Sequence, residues 1–182
     1  MTAVSKGAGP EQAAPTRDND LSETEASRGL IAALVDPLND HVIEGREAHW
    51  HPDGRRIGSG GRGVKPNLRA FQDGWQRPFL DAFSDKVRVD EARIAEGGRV
   101  AAFGRQEATH AGDLMGVPAT GRRVQVRYMD FWKVVDGKIR DNWVMIDVVG
   151  VMRQLGVDPL QGKGRDEFGE GWRPPVPGLA EG

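Results

Sequence analysis

The sequence predicts an α+β domain in which helices cover one face of a curved antiparallel sheet. The inferred elements run helix, strand, helix, then an unbroken series of strands, then a last helix, an order that segregates helices to one side of a sheet. From Val124 the residues alternate strictly, with Val124, Val126, Tyr128, Asp130, Trp132 and Val134 on one side and Arg123, Gln125 and Arg127 on the other. That period of two marks a half-buried strand. Glycine-bearing turns at Glu96-Gly97-Gly98 and Val135-Asp136-Gly137 join the strands into hairpins.

Residues 1–20 are Ala, Gly, Pro, Gln and charges without periodicity, so a disordered tail is expected there. Ser22-Glu23-Thr24-Glu25 fits a capping box with Ser22 as N-cap, followed by a stripe of Ala26, Leu30, Ala33 and Leu34 that ends near Asp36-Pro37. A short strand is expected around Glu47–His51, then a glycine-rich turn from Gly58 to Gly63. Leu68, Phe71 and Trp75 align on one helical face, and Pro78 should kink or restart that helix before Phe79 and Phe83. Strands follow at Lys86–Ala95 and Arg99–His110, and then the hairpin that holds Tyr128 and Trp143. Asp147 reads as the N-cap of a helix Val148–Leu155 stopped by Gly156. The expected domain is therefore 21–160, with a Gly/Pro-rich tail at 161–182.

A chain of 182 residues with a formal net charge of −2 gives no electrostatic reason to expect nucleic acid or an anionic membrane as partner. No cysteine is present, which removes disulfides, a thiol nucleophile and thiolate zinc sites. The N-terminus lacks the apolar core of a signal peptide and no run reaches membrane-spanning length, so a soluble cytoplasmic protein is the expectation.

The residue out of pattern is Asp130, a carboxylate on the buried side of its strand between Tyr128 and Trp132. Such a group either has a dedicated hydrogen-bond partner or is pushed toward its neutral form by burial, which suits a general acid/base. A three-residue loop Val135-Asp136-Gly137, with Gly137 left-handed, puts Asn142 opposite Asp130 and Val144 and Ile146 on the same face. A two-residue turn would instead bring Trp143 opposite it.

Several words in the chain carry a family resemblance: His51-Pro52-Asp53, His110-x-Gly112, Leu114-x-Gly116-Val117-Pro118-x-Thr120, Asp136-Gly137-Lys138-Ile139-Arg140-Asp141, Asp147, and Arg153-Gln154-Leu155-Gly156. Together they resemble the SnoaL-like polyketide cyclases of the nuclear transport factor 2-like superfamily, and Glu170-Gly171-Trp172-Arg173-Pro174 resembles the end of the founding cyclase. The resemblance implies a cone-shaped α+β barrel with a deep, mostly apolar pocket. It implies ring closure of a polyketide by intramolecular aldol chemistry, with no cofactor and no metal. An aspartate and a histidine face the pocket in that family; the histidine position falls on Asp130 and the aspartate position on Val144. Both share one face in the three-residue-loop register, which favours it. Arg105 and Glu107 also resemble the Arg-x-Asp pair of limonene epoxide hydrolases, the basis of an alternative reading as an epoxide hydrolase or isomerase.

Asp130 is thus the expected general acid/base, held by Asn142, with Arg105 and Glu107 as the alternative catalytic pair. Trp50, Trp75, Tyr128, Trp132, Val144 and Ile146 are the expected walls around a hydrophobic, oxygen-rich substrate such as a polyketide or terpenoid. A ligand-binding dimerisation module without chemistry is the rival, supported by the valine at 144. His49-x-His51 lacks a third nearby ligand for a metal, and Gly58-x-Gly60-x-x-Gly63 lacks the strand and βαβ setting of a dinucleotide fingerprint. His110 is expected to anchor its loop. Met129, Phe131, Trp143 and Met145 share the outward face of the hairpin, so a homodimer through that face is expected.

Overall fold

The computed structural model describes residues 21–161. The expected tails, residue 161 apart, lie outside these residues, as does the Trp172 motif. Six strands form one sheet: β1 (Trp50–Gly58), β2 (Gly63–Lys65), β3 (Val87–Glu96), β4 (Arg99–Thr109), β5 (Arg123–Val135) and β6 (Lys138–Ile146). Their order is β2-β1-β6-β5-β4-β3. The helices are α1 (Leu21–Val35), α2 (Leu68–Phe71), α3 (Arg77–Ala82) and α4 (Val148–Gln154). The α+β class holds, with one correction: β1 runs parallel to β6, so the sheet is mixed rather than wholly antiparallel.

Buried apolar side chains gather between the helices and one sheet face in two adjoining clusters. One joins Phe79 and Phe83 to Val124, Val126, Tyr128 and Val151. The other joins Ile31 and Leu34 of α1 to Val100, Trp132 and Ile139 of the sheet. The α1 stripe is rotated from the expected one: Thr24, Ser27, Ile31, Leu34 and Val35 are buried. Thr24 Oγ1 accepts from Gly97 N at 2.8 Å, tying the helix to the β3–β4 turn. Ser22 lies inside the helix and is not its N-cap. Arg46–His49 forms a 3-10 turn, so the strand expected around Glu47–His51 begins only at Trp50.

The word His51-Pro52-Asp53-Gly54 makes the largest irregularity of the sheet. Trp50 pairs with Ile139 and Arg55 with Asp141, so β1 uses five steps where β6 uses two. A Cβ on Gly54 would lie 2.9 Å from the Ile139 carbonyl oxygen, which explains glycine at the neck of this bulge. His51 Nδ1 accepts from Asp53 N at 3.1 Å, a turn-fixing role. Between α2 and α3, Gln72–Gln76 forms a π-turn, and Pro78 sits in the first turn of α3, restarting the helix as expected. Asp147 caps α4 by accepting from Gly150 N at 2.8 Å. The helix closes with Gly156 N on Arg153 O and Val157 N on Met152 O, a Schellman pair. His110 anchors its loop: its Nδ1 accepts from Thr120 N at 3.2 Å.

The β5–β6 hairpin corrects both expected registers. Asp136 and Gly137 have φ of 51° and 67°, as a two-residue type I′ turn demands, and Val135 pairs with Lys138. Lys133 then pairs with Asp141 while Val134 pairs with Ile139, so Arg140 is an extra residue. That bulge restores the even-with-even parity: Asp130 pairs with Val144 and Trp132 with Asn142. Asn142, Val144 and Ile146 accordingly share the buried face with Asp130, and Trp143 and Met145 face outward.

Gly104 marks a close approach between β4 and β3. A Cβ there would lie 2.1 Å from the Val89 carbonyl oxygen and 2.8 Å from the Tyr128 hydroxyl. Gly104→Ala must push β3 outward at its bulge, and we expect a loss of roughly 1–3 kcal/mol, the usual cost of overpacking. Urea denaturation of the variant checks this; an unchanged midpoint would show that the edge strand yields freely.

Candidate functional site

A cavity opens between the buried sheet face and the helices. Its volume is about 90 Å³, and all the space between its walls, open solvent at the mouth included, is about 830 Å³. A multi-ring ligand would therefore extend into the mouth or displace side chains. Trp50, Trp75, Trp132, Val144 and Ile146 line it, as the sequence suggests, together with Leu68 and Phe71. The polar lining is unexpectedly cationic: Arg46, Arg56, Lys86 and Arg88 stand against the single carboxylate of Asp130, with Gln76, Gln106 and Asn142 between them.

Asp130 is 5% exposed and sits in the middle of this network. Arg88 Nη1 donates to its Oδ2 at 2.9 Å, and Asn142 Nδ2 donates to its Oδ1 at 3.2 Å. Arg56 Nη2 lies 4.0 Å from Oδ1. Of the two possibilities left by the sequence, the structure shows dedicated partners. The Asp130–Asn142 pairing is present although the residues are not opposite each other in register. Arg88 Nε also donates to Asp90 at 2.8 Å, and Asp90 receives the Tyr128 hydroxyl and both Nε and Nη2 of Arg93. Burial opposes ionisation of Asp90, but the Tyr128 hydroxyl and the Arg88 and Arg93 guanidiniums outweigh it and hold that carboxyl below its ordinary range. Burial drives the Tyr128 phenol upward, so it remains a donor.

Three buried polar atoms on the cavity wall have no partner among the described residues: Arg88 Nη2, Asn142 Oδ1 and Gln76 Oε1. Such atoms carry a desolvation cost of about 1–3 kcal/mol each until a ligand or water meets them. One charged donor and two acceptors left open on this mixed wall suit a ligand bearing both carbonyl and hydroxyl oxygens.

The aromatic walls are in part already occupied by guanidiniums. Arg56 stacks over Phe71 at 3.9 Å and Arg62 over Trp75 at 4.5 Å. Arg88 lies 4.0 Å over Tyr128, which backs the arginine instead of lining the cavity, contrary to its expected role as a substrate wall. Arg105 and Glu107 are displaced further from expectation. Their side chains pair at 2.9 Å on the outward face of β4, beside Phe103, which is 45% exposed. They are not brought together with Asp130. No cluster of three or more His, Asp or Glu that could hold a metal occurs among the described residues.

Arg46, Arg56, Lys86 and Arg88 were missed by sequence reasoning. The available signal was the parity of β3: Arg88 and Asp90 alternate with Val87 and Val89, and a buried Asp130 requires a cation. Lys86 differs from the arginines, since its ammonium has no hydrogen-bond or ion-pair partner among the described residues. Burial lowers its pKa to about 8, with the positive charges of Arg88 and Arg46 adding to the effect.

This has a consequence for stability. Below about pH 8 both folded and unfolded chains carry the Lys86 proton, and the folded one carries it at a cost. Between that value and the ordinary 10.5 the unfolded chain binds more protons, so stability rises with pH. Lys86→Met is expected to melt higher than the parent at pH 7 and to lose this advantage by pH 10. Paired thermal melts at the two pH values check it; a variant less stable at pH 7 would reverse the argument.

Comparison with known proteins fits this geometry. The chain is 35% identical to the nogalonic acid methyl ester cyclase of Streptomyces nogalater, over 78% of this chain and 100% of that protein. It is 39% identical to the aklanonic acid methyl ester cyclase DnrD of Streptomyces peucetius, over 51% of this chain and 60% of that protein. Among solved structures, AclR of Streptomyces galilaeus superposes with a TM-score of 0.65 at 28% identity, covering 73% of this chain and 97% of that one. The family model described as SnoaL-like polyketide cyclase matches residues 29–155, most of the chain. The chain therefore belongs to the SnoaL-like polyketide cyclase family.

Proposed function

We propose that this protein is a cofactor-free cyclase that closes a ring in a hydrophobic polyketide-type ester by intramolecular aldol chemistry. The observation that carries the reading is the set of orphaned polar atoms on the wall of the cavity that holds Asp130, on a chain that matches a methyl ester cyclase over that enzyme's whole length. In this reading Asp130 takes a proton from the carbon next to a carbonyl. Asn142 fixes the carboxylate's orientation. Arg88 Nη2 and Arg56 meet the enolate oxygen, the kind of preorganised charge that stabilises a developing anion. The enolate carbon attacks a second carbonyl of the same molecule, and the resulting alkoxide recovers the proton from Asp130. No atom is gained or lost. Val144, directly across from Asp130, supplies only apolar wall. The epoxide reading has no comparable support, because Arg105 and Glu107 face away from the cavity.

The test uses nogalonic acid methyl ester, the substrate in the name of the full-length relative. The protein is expected to convert it to an isomer of identical mass and different chromatographic retention. Asp130→Asn leaves Arg88 buried beside a neutral amide and is expected to cost about 3–5 kcal/mol of stability. Its activity is therefore read at a temperature where circular dichroism shows it folded, with an expected loss on the order of 100-fold or more. A folded parent protein that leaves several such esters unchanged would refute the cyclase reading.

The same reading includes a homodimer with a second copy of the chain as occupant of the outward sheet face. Met129, Phe131, Trp143 and Met145 are exposed there as expected, and Phe103 and Ile94 extend the patch. Ion pairs of Arg105 and Arg127 with Glu91 border it as a polar rim. Light scattering at micromolar concentration should give twice the chain mass, and Met129→Glu with Phe131→Glu should halve it. A monomeric parent protein would leave the patch without this partner.

A further inference from the structure

Lys86 and Arg46 are the cavity-lining cations outside the network around Asp130; Arg46 donates to the Val42 and Leu34 carbonyl oxygens, whereas the Lys86 ammonium has no such partner among the described residues. Lys86 is 6% exposed, immediately before β3 and two residues before Arg88. Alternation puts Lys86 and Arg88 on the same inward face, roughly 7 Å apart along the strand. The backbone at this point is fixed, because the Lys86 carbonyl oxygen bonds His41 Nε2 at 2.6 Å and its N–H reaches Phe83 O at 3.2 Å. Lysines are almost never buried unless paired, yet no carboxylate pairs with this one among the described residues. Asp130 is already engaged by Arg88 and Asn142. The other polar groups on the cavity wall are His41 and Arg46 from the segment after α1, Arg56 from β1, Gln76 from the π-turn and Gln106 from β4. None offers Lys86 a negative charge, and Arg46 and Arg88 repel it. An amine desolvated in a pocket beside other cations is the arrangement that turns lysine into a nucleophile toward carbonyl carbon.

We propose that Lys86 is a second reactive group of this cavity, an amine that condenses with 1,3-dicarbonyl compounds to form an enaminone through Nζ. The proposal rests on the carbonyl-substrate reading given above. In the step, Nζ adds to one carbonyl carbon and the C–N bond forms. The carbonyl oxygen leaves as water, taking one hydrogen from Nζ and one from the carbon between the two carbonyls. A carbon–carbon double bond conjugated to nitrogen remains, with no oxidation or reduction. The product is uncharged, so condensation removes a positive charge from between Arg46 and Arg88. The second carbonyl oxygen, kept in the adduct, is an acceptor for the orphaned Arg88 Nη2.

The probe is acetylacetone, added to the full-length protein at pH 8. At that pH an amine with a midpoint of about 8 has a neutral fraction roughly a hundredfold above that of an ordinary lysine. The expected result is a near-ultraviolet absorbing adduct with a mass gain of one diketone less one water, mapped by peptide analysis to Lys86 at least tenfold faster than to Lys65, Lys133 or Lys138. The rate should rise with pH to a plateau with a midpoint near 8, and Lys86→Arg should abolish the fast phase. Absence of the adduct, or labelling of Lys86 no faster than Lys65, Lys133 or Lys138, would overturn the proposal, and the mapping on parent protein needs no variant to fold. The two readings fail separately. Labelling at Lys86 without ester cyclisation upholds the amine site and refutes the cyclase, whereas cyclisation without labelling does the reverse.

Discussion

Asp130 and Arg88 form a buried ion pair on which the geometry of the cavity depends. Each charge alone would be expensive to desolvate, and the pair is tolerated because Asp130 also accepts from Asn142 and Arg88 also donates to Asp90. Arg88 spans two carboxylates, Asp130 on β5 and Asp90 on its own strand, and its guanidinium plane rests on Tyr128. Asp90 passes the constraint to Arg93, which reaches Asp36 just after α1. The central strand, the edge strand and the first helix are thereby held in one electrostatic frame, with the cavity on its inner side. Apolar packing fixes where the layers sit; this chain of charges fixes how β3 is aimed at β5.

That frame also explains why the protein keeps groups that weaken it. Hydrophobic residues of similar volume would fill the space of Asp130 and Arg88 at no loss, often at a gain. The unpartnered Arg88 Nη2, Asn142 Oδ1 and Gln76 Oε1 and the crowded ammonium of Lys86 are further departures from a well-satisfied interior. They all lie on the wall of a single cavity. Among the described residues three further orphans, His49 Nδ1, His110 Nε2 and Gln125 Oε1, lie elsewhere, but only on this wall do orphans stand beside buried charges, and that concentration is what a binding site costs in stability.

The scaffold was legible in the sequence because its signals are local. The alternation through β5, the Asp147 cap, the Gly156 stop and the restart at Pro78 each depend on residues within a few positions of one another. The inward set of Asp130, Asn142, Val144 and Ile146 was also legible, since parity survives a wrong register when a bulge compensates. The register itself was not: Asp136-Gly137 is a strong two-residue turn signal, but the extra residue at Arg140 has no local mark. The parallel pairing of β1 with β6 is equally non-local, as it depends on how the chain returns after α1. The cations of the site were hidden for a related reason. Arg56 and Arg88 are ordinary surface residues by composition and become interior ones only through partners 74 and 42 positions away in sequence, both reached through Asp130. Arg105 and Glu107 differ in the opposite direction: alternation shows that they share a face of β4 but not that this face is the outward one.

The edge position of β3 gives this cavity an unusual route to new chemistry. The strand is bonded to β4 alone, and its pairing skips Glu91, where an extra residue is already absorbed. Upstream of that point the inward residues are Lys86 and Arg88 and the outward ones Val87 and Val89. Loss or gain of one residue at the bulge would exchange the two sets. The wall would then present two valines where it now presents an amine and a guanidinium, with no change to any side chain in the centre of the sheet. A single insertion or deletion at the rim, joined by an apolar replacement of the Asp130 it would strip of Arg88, could convert a cavity lined by cations into one suited to hydrocarbons, leaving helices and turns as they are. Diversification of the substrate range can therefore proceed by frame shifts of an edge strand as well as by substitution.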